Sequence, residues 1–345
     1  MIEFRSDTFT LPTSRMMQAI QSATLGDDVY GEDPTVKELE EKTALILGKE
    51  ASILMPSGTM ANLSSIMAHC ARGSKILVGD ESDIYIYEAA GASVCGGIMY
   101  EKIPTMSDGT LRIQDLEEAF PKDVDDPQFA LPSLICIENS HNRMGGKVLP
   151  LSYLEELSAF SIKKKIPVHM DGARLFNAAI SLGLAPREIT KFADTVQICL
   201  SKGLSSPIGS MVAGSKEFIN KVYRIRKMLG GGMRQAGIIA APALIALEEY
   251  MDRLTADHEH ARMLAEGLAS IPGVILETNN VDTNIVFFRV EASILTTEIF
   301  IEEATKRGLN LAELGTNRIR MVTHSGINST DIKNALKIIH SILTG

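Results

Sequence analysis

The stretch Ile166-Pro167-Val168-His169-Met170-Asp171-Gly172-Ala173-Arg174 and, one helix later, Thr195-Val196-Gln197-Ile198-Cys199-Leu200-Ser201-Lys202-Gly203 decides the fold. Each part is a short apolar run that ends in a charged residue followed by glycine. Such runs, bounded by turn residues, read as buried strands. The segment between them, Arg174–Leu182, reads as a helix. Strand, helix, strand in that order is the unit of a parallel sheet covered on both faces. Working outward, strand-like runs recur at Ala51–Met55, Lys75–Val78, Gly97–Ile103 and Ser133–Glu138, with helical stretches at Met60–Arg72, Ile113–Ala119 and Leu151–Lys164. The fold class is therefore α/β with a mostly parallel sheet. Beyond Met211–Ala213 the pattern changes. A basic helix over Lys216–Met228 meets Gly230-Gly231-Gly232, and a long helix follows over Gln235–Ser270. Short strands (Thr283–Arg289, Arg318–Thr323) then alternate with helices (Thr296–Arg307, Ser329–Leu343). This organisation predicts an N-terminal arm over 1–30, a large domain over 31–250 and a small C-terminal α+β domain over 251–345.

In open α/β sheets, ligands bind beyond the carboxyl ends of the strands, and three motifs sit there. Ser57-Gly58-Thr59 lies at a strand-to-helix junction, where free N–H groups and the helix dipole attract an anion. The same residues also suit a helix cap beside a tight turn. Asp171 leaves its strand as a carboxylate able to hold a pyridine nitrogen protonated, although Asp-Gly also simply makes turns. Lys202 ends the next strand. An amine drawn partly out of water has a lowered pKa and forms imines, whereas a strand-end lysine can also snorkel to solvent.

Composition bounds the rest. The 345 residues are 45% hydrophobic and 22% charged, with a formal net charge of −9. That acidity argues against a nucleic-acid footprint, which needs clustered Lys and Arg. No membrane span is expected, because the longest apolar stretch, near Ala236–Leu247, is short and holds Pro242. The N-terminus has no apolar signal core. Cys70, Cys95, Cys136 and Cys199 form no CxxC pair, so reduced thiols and a cytoplasmic location are expected. No metal is implied, for want of a cluster with ligand spacing.

Taken together and in order, a phosphate cradle, Asp171 and Lys202 resemble the aspartate-aminotransferase-like fold of pyridoxal 5′-phosphate (PLP) enzymes, fold type I. The motifs narrow the likeness: RSDTFTLPT (5–13), GDDVYGEDPT (26–35), PSGTMAN (56–62), ENSHNRMGG (138–146), HMDGARLFNA (169–178), CLSKGLSSPIGS (199–210), RKMLGGGMRQAG (226–237) and RIRMVTH (318–324). They resemble the low-specificity L-threonine aldolases, grouped with the β-eliminating lyases. The resemblance implies that PLP bonds to Lys202, that Asp171 pairs with its ring nitrogen, and that Gly58 and Thr59 hold its phosphate. It further implies that Ser6, Arg174 and Arg320 receive the carboxylate of a small amino-acid substrate. Arg234, beside the glycine run, is placed toward the cofactor phosphate, including that of a neighbouring subunit. The implied reaction is retro-aldol cleavage of a β-hydroxy-α-amino acid to glycine and an aldehyde, with His141 as base or water-positioning group. A homotetramer, a dimer of dimers with sites at the dimer interface, is implied as well.

One position departs from the family pattern. Where the family carries a histidine that stacks on the cofactor ring, this chain has Asp83. A carboxylate cannot stack in that way. Tyr85 is then the candidate to cover the ring, and Asp83 a candidate acid/base group or helix cap. The same cofactor also supports racemisation, transaldolation and β-elimination, so these stand as alternative reactions.

Overall fold

The computed structural model describes residues 1–277, 280–315 and 317–345. Seven strands form the large sheet, in the order 51–55, 210–214, 195–199, 168–171, 132–138, 75–79, 99–103. The last five in that order pair in parallel. Ser210–Gly214 runs antiparallel to both neighbours, so Ala51–Met55 again points the same way as Thr195–Cys199. Lys75–Gly79 and Thr195–Cys199 are buried along their whole length. That is why they read as continuous apolar runs rather than alternating ones.

Register carries the charged strand ends to one edge. Glu138 pairs with Asp171 across the parallel ladder, and Asp171 pairs with Gln197. The helix Gly58–His69 starts at the same edge, directly after Ala51–Met55. Gly172 packs so tightly there that a Cβ would lie 2.6 Å from the Gln197 carbonyl oxygen. The Asp-Gly turn is thus compelled by packing as well as by turn chemistry.

Gly237–Ala269 is a 33-residue helix that serves two cores. Ala240, Ala243, Leu247 and Leu254 belong to the core of the large sheet, whereas Ala261, Leu264 and Leu268 pack with Phe288, Phe300 and Ile339 of the C-terminal region. That region holds a four-stranded antiparallel sheet over 274–276, 285–290, 312–313 and 319–322, with the helices Thr297–Lys306 and Ser329–Thr344.

The first residues do not stand apart from these bodies. Ile2–Glu3 adds a parallel pairing to Leu309–Asn310, and Phe4 is fully buried in the C-terminal core. Thr10 Oγ1 then donates to the Lys202 carbonyl at 2.9 Å. The N-terminal segment therefore links the small core to the lysine turn. Arg253, on the long helix, donates to the Leu204 carbonyl at 2.8 Å and fixes the same turn from the other side. No described helix is long and apolar enough to cross a membrane.

Candidate active site

At the carboxyl edge of the large sheet lies a cleft of about 170 Å³ lined by Gly58, Thr59, Asn62, Asp83, Tyr87, Glu88, Asp171 and Lys202, among others. The three motifs that the sequence singles out as a set therefore share one cavity. Ser57 caps the Gly58–His69 helix by accepting from the Met60 N–H at 3.2 Å. Both readings of the junction hold together: the cap is real, and the first turn still turns free N–H groups outward. A Cβ on Gly58 would lie 2.8 Å from Cys199 Sγ, so only glycine lets the backbone sit this low in the cleft.

Asp171 is buried. One carboxylate oxygen accepts from the Ala173 N–H at 3.0 Å, the other from Asn62 Nδ2 at 2.9 Å. Burial raises its pKa, against the pull of Lys202. The expected lowering of the Lys202 pKa is not what the environment produces. Burial does lower it, but Cys199, Asp83 and Asp171 together outweigh burial, and the net direction is upward. The sequence reading counted desolvation and could not count the acidic groups that folding brings around the amine.

Arg174 is buried and forks onto Asp7, with Nε and Nη2 each donating at 2.8 Å. Burial pushes the Asp7 carboxyl up, yet Arg174, Lys202 and Arg320 hold it well below the usual carboxylate range. Arg174, expected with Ser6 and Arg320 to receive the substrate carboxylate, has two of its donors engaged by Asp7. Arg320 is differently placed. Its Nη1 donates to Asn142 Oδ1 at 2.7 Å and its Nη2 to the Arg5 carbonyl at 2.8 Å. Its Nε is buried with no partner among the described residues. Ser6 caps the short turn Asp7–Phe9 beside them by accepting from the Thr8 N–H.

Asp83 opens the short helix Asp83–Ile86 and lines the cleft. Asn142 Nδ2 donates to both its oxygens, at 3.0 and 3.2 Å. Buried Glu138 accepts from the Asp83 N–H at 2.9 Å and from the Asn142 N–H at 2.8 Å. Asp83, Asn142 and Arg320 are thus one connected group. Burial, with Asp83 and Asp171 nearby, holds the Glu138 carboxyl well above its ordinary pKa. The same direction applies to Glu88, where burial acts first and Asp171 second.

Three expected residues lie elsewhere. His141 is buried beneath this edge, in a separate pocket of about 10 Å³ with Ser82, Glu138 and Gly109. Burial pushes its pKa down to about 4. Its backbone pairs with Lys147, and it is not among the residues that line the cleft. Tyr85 packs into an apolar cluster with Leu63 and Met67 and meets Tyr100 edge to face at 6.0 Å. The tyrosine of that region that reaches the cleft is Tyr87, two positions on. Arg234 is exposed and pairs with Asp27 at 3.0 Å, outside the cleft of its own chain. Asp7, Asn62, Glu88, Glu138 and Asn142 were not singled out from the sequence. All but Glu88 stand inside the quoted motifs, so their nearness to functional residues was the available signal.

A beta-eliminating lyase family profile matches residues 3–292. The chain belongs to this family. Within the family, it is 42% identical to low-specificity L-threonine aldolase 1 of Arabidopsis thaliana over 97% of this chain and 94% of that one. It is 44% identical to low specificity L-threonine aldolase of Escherichia coli strain K12, over 84% of this chain and 85% of the other. The fold matches that of a Leishmania major threonine aldolase with a TM-score of 0.85, at 18% identity, covering 99% of this chain and 100% of that one.

The cleft fits the cofactor that the sequence reading names. It offers free helix N–H groups for a phosphate, a buried carboxylate with open lone pairs for a ring nitrogen, and an amine for an aldehyde. Gln197 Oε1 is buried with no described partner at the same place.

Proposed function

We propose that this chain is a PLP-dependent carbon–carbon lyase that cleaves a β-hydroxy-α-amino acid of the L-threonine or L-allo-threonine type to glycine and an aldehyde. The observation that carries this reading is the meeting of Lys202, Asp171 and Gly58–Thr59 in one cleft, with Arg320 nearby, in a chain 42% identical to an L-threonine aldolase. Lys202 would hold the cofactor, Asp171 would face its ring nitrogen, and Gly58 and Thr59 would take its phosphate. When bound, PLP supplies the sink for the electron pair released as the Cα–Cβ bond breaks.

The protein's own residues do the rest. The open Nε of Arg320 and the remaining edge of Arg174 hold the substrate carboxylate, with Ser6 beside them, and charge-assisted bonds of this kind fix orientation. Asp7 keeps Arg174 in place and partly neutralises it, so the site does not confront one carboxylate with two bare cations. Asp83 takes the proton from the β-hydroxyl. Asn142, which donates to both its oxygens and in turn accepts from Arg320, aligns that base with the carboxylate anchor. Glu88, whose carboxyl burial and Asp171 push well above its ordinary pKa, stands on the same wall.

Asp83 also supports a second reading, since a carboxylate where the family stacks a histidine changes what lies across the ring. In that reading the chain runs racemisation, transaldolation or β-elimination. Incubation with L-threonine and with L-allo-threonine, assayed for glycine and acetaldehyde, separates the two. Equimolar products from either substrate are expected. No product from either, with exchange of the L-alanine α-proton in D₂O, would replace the aldolase reading by the racemase one.

The reading extends to a homotetramer in the cytoplasm. The exposed position of Arg234 supports a role toward a neighbouring subunit's cofactor phosphate, and four free cysteines suit a reducing compartment.

A further inference from the structure

Behind Asp171 lies a line of polar groups that the proposed reaction does not use. Asn62, on the Gly58–His69 helix, sends its two amide hydrogens to two carboxyl groups: Glu88 Oε1 at 2.8 Å and Asp171 Oδ2 at 2.9 Å. Its Oδ1 lies 3.0 Å from His169 Nε2. His169 Nδ1 lies 3.0 Å from Thr195 Oγ1, and Thr195 Oγ1 lies 2.9 Å from His69 Nε2. Asn62, His169 and Thr195 are all buried, while His69 stands at the outer end, stacked on Phe218 at 4.5 Å.

The chemistry of the groups leaves one direction for this line. With the Asn62 amide nitrogen on the Asp171 carboxylate, Oδ1 faces His169. An acceptor there requires a hydrogen on His169 Nε2. A neutral imidazole then has Nδ1 as an acceptor, which takes the Thr195 hydroxyl hydrogen. The Thr195 oxygen is left to accept from His69 Nε2–H. Burial keeps both rings neutral, with pKa values pushed down to about 3 for His169 and about 4 for His69. Every hydrogen in the line points toward Asp171.

We infer that His69, Thr195, His169 and Asn62 form a one-way hydrogen-bond relay that orients the Asn62 amide as a fixed donor to Asp171, which makes His169 and Asn62 positioning residues for the cofactor-binding carboxylate. The relay works by excluding the flipped amide. Without a donor at His169 Nε2, Asn62 could turn its oxygen toward Asp171 and Glu88, and Asp171 would lose a donor and gain a repulsive neighbour. His169 is not among the residues that line the cleft, so its influence on Asp171 passes through Asn62.

The inference rests on the PLP reading only for its effect on cofactor binding, and two measurements keep the two apart. The first uses the apoprotein. Nitrogen-15 NMR of histidine-labelled chain, with His169→Gln to assign the signal, reads the His169 tautomer directly. A neutral Nε2–H ring is expected, and an Nδ1–H or charged ring near neutral pH would overturn the relay, whatever the cofactor. The second compares PLP affinity and the visible spectrum of the loaded protein. His169→Phe should weaken PLP binding roughly tenfold, the scale of a buried acceptor left unpaired, and shift the visible band. His169→Gln retains an N–H donor at the place of Nε2 and should restore both. Thr195→Val, nearly the same shape, should give a smaller shift in the same direction. If Phe and Gln variants lose affinity equally, or if a folded Thr195→Val and His169→Phe keep the wild-type spectrum, the relay has no positioning role. A wild-type chain that binds no PLP would instead remove the cofactor reading while leaving the tautomer result standing.

Discussion

The two sides of the cleft are built in opposite ways. The floor, with Asp171 and Lys202, hangs on the ends of buried parallel strands, and its carboxylate is held by Asn62 and the Ala173 N–H. The wall, with Asp83, Tyr87 and Glu88, comes from a four-residue helix and the turn after it, where Tyr87 is half exposed. The floor is positioned by sheet register, which few substitutions can alter. The wall is positioned by side chains bonding to side chains, chiefly Asn142 to Asp83. Substitutions at the wall can therefore alter how the substrate is handled while the cofactor's place on the floor is kept.

The largest effect expected from breaking this contrast is on the floor. Asp171→Ala should lower kcat by more than ~100-fold, the scale of losing one preorganised charge at a reacting centre, and should also alter the visible spectrum of the bound cofactor. Steady-state kinetics and absorbance of the same sample check both. At the wall, Asp83→Asn should lower kcat by ~100-fold, as for loss of a general base, yet leave PLP affinity at its wild-type value. A loss of PLP affinity in Asp83→Asn would mean that the two sides are not separable.

The smallest expected effect concerns stability under the wall. His141 has its folded pKa pushed down to about 4 by burial, below the ~6.5 of an unfolded chain. Between these values the unfolded state binds a proton that the folded state refuses, so stability rises with pH through this window and falls as pH drops from ~6.5 toward ~4. His69 and His169 act in the same direction. Urea denaturation across this range should show the slope, and a folded His141→Gln should flatten it by no more than ~1.4 kcal/mol per pH unit.

The same contrast explains what the sequence made legible. Apolar runs ending in Asp171 and Lys202 reveal strand ends, because a strand buried on both faces must be apolar throughout. Ser57-Gly58-Thr59 reveals its junction for a similar reason. The wall carries no such periodic signal. Tyr85 and Tyr87 lie on one short turn and differ only in which way each faces, and the choice is made by Leu63, Met67 and Tyr100 from distant parts of the chain. His141 lies in a small separate pocket with Ser82 and Gly109, neighbours from distant parts of the chain that no local pattern reveals. The Asp7–Arg174 pair spans almost half the chain and was equally hidden. The raised pKa of Lys202 was hidden in the same way: burial is readable locally, while Cys199 and the carboxylates of Asp83 and Asp171, which outweigh it, are brought around the amine by the fold.

The most direct test of the account is reconstitution of the apoprotein with PLP, comparing wild type with Lys202→Ala. Wild type should show the visible band of the lysine-bound cofactor, bleached by borohydride with PLP left covalently on Lys202, and Lys202→Ala should show neither the band nor the covalent label. A band that persists in Lys202→Ala, or a label found on another lysine, would contradict it.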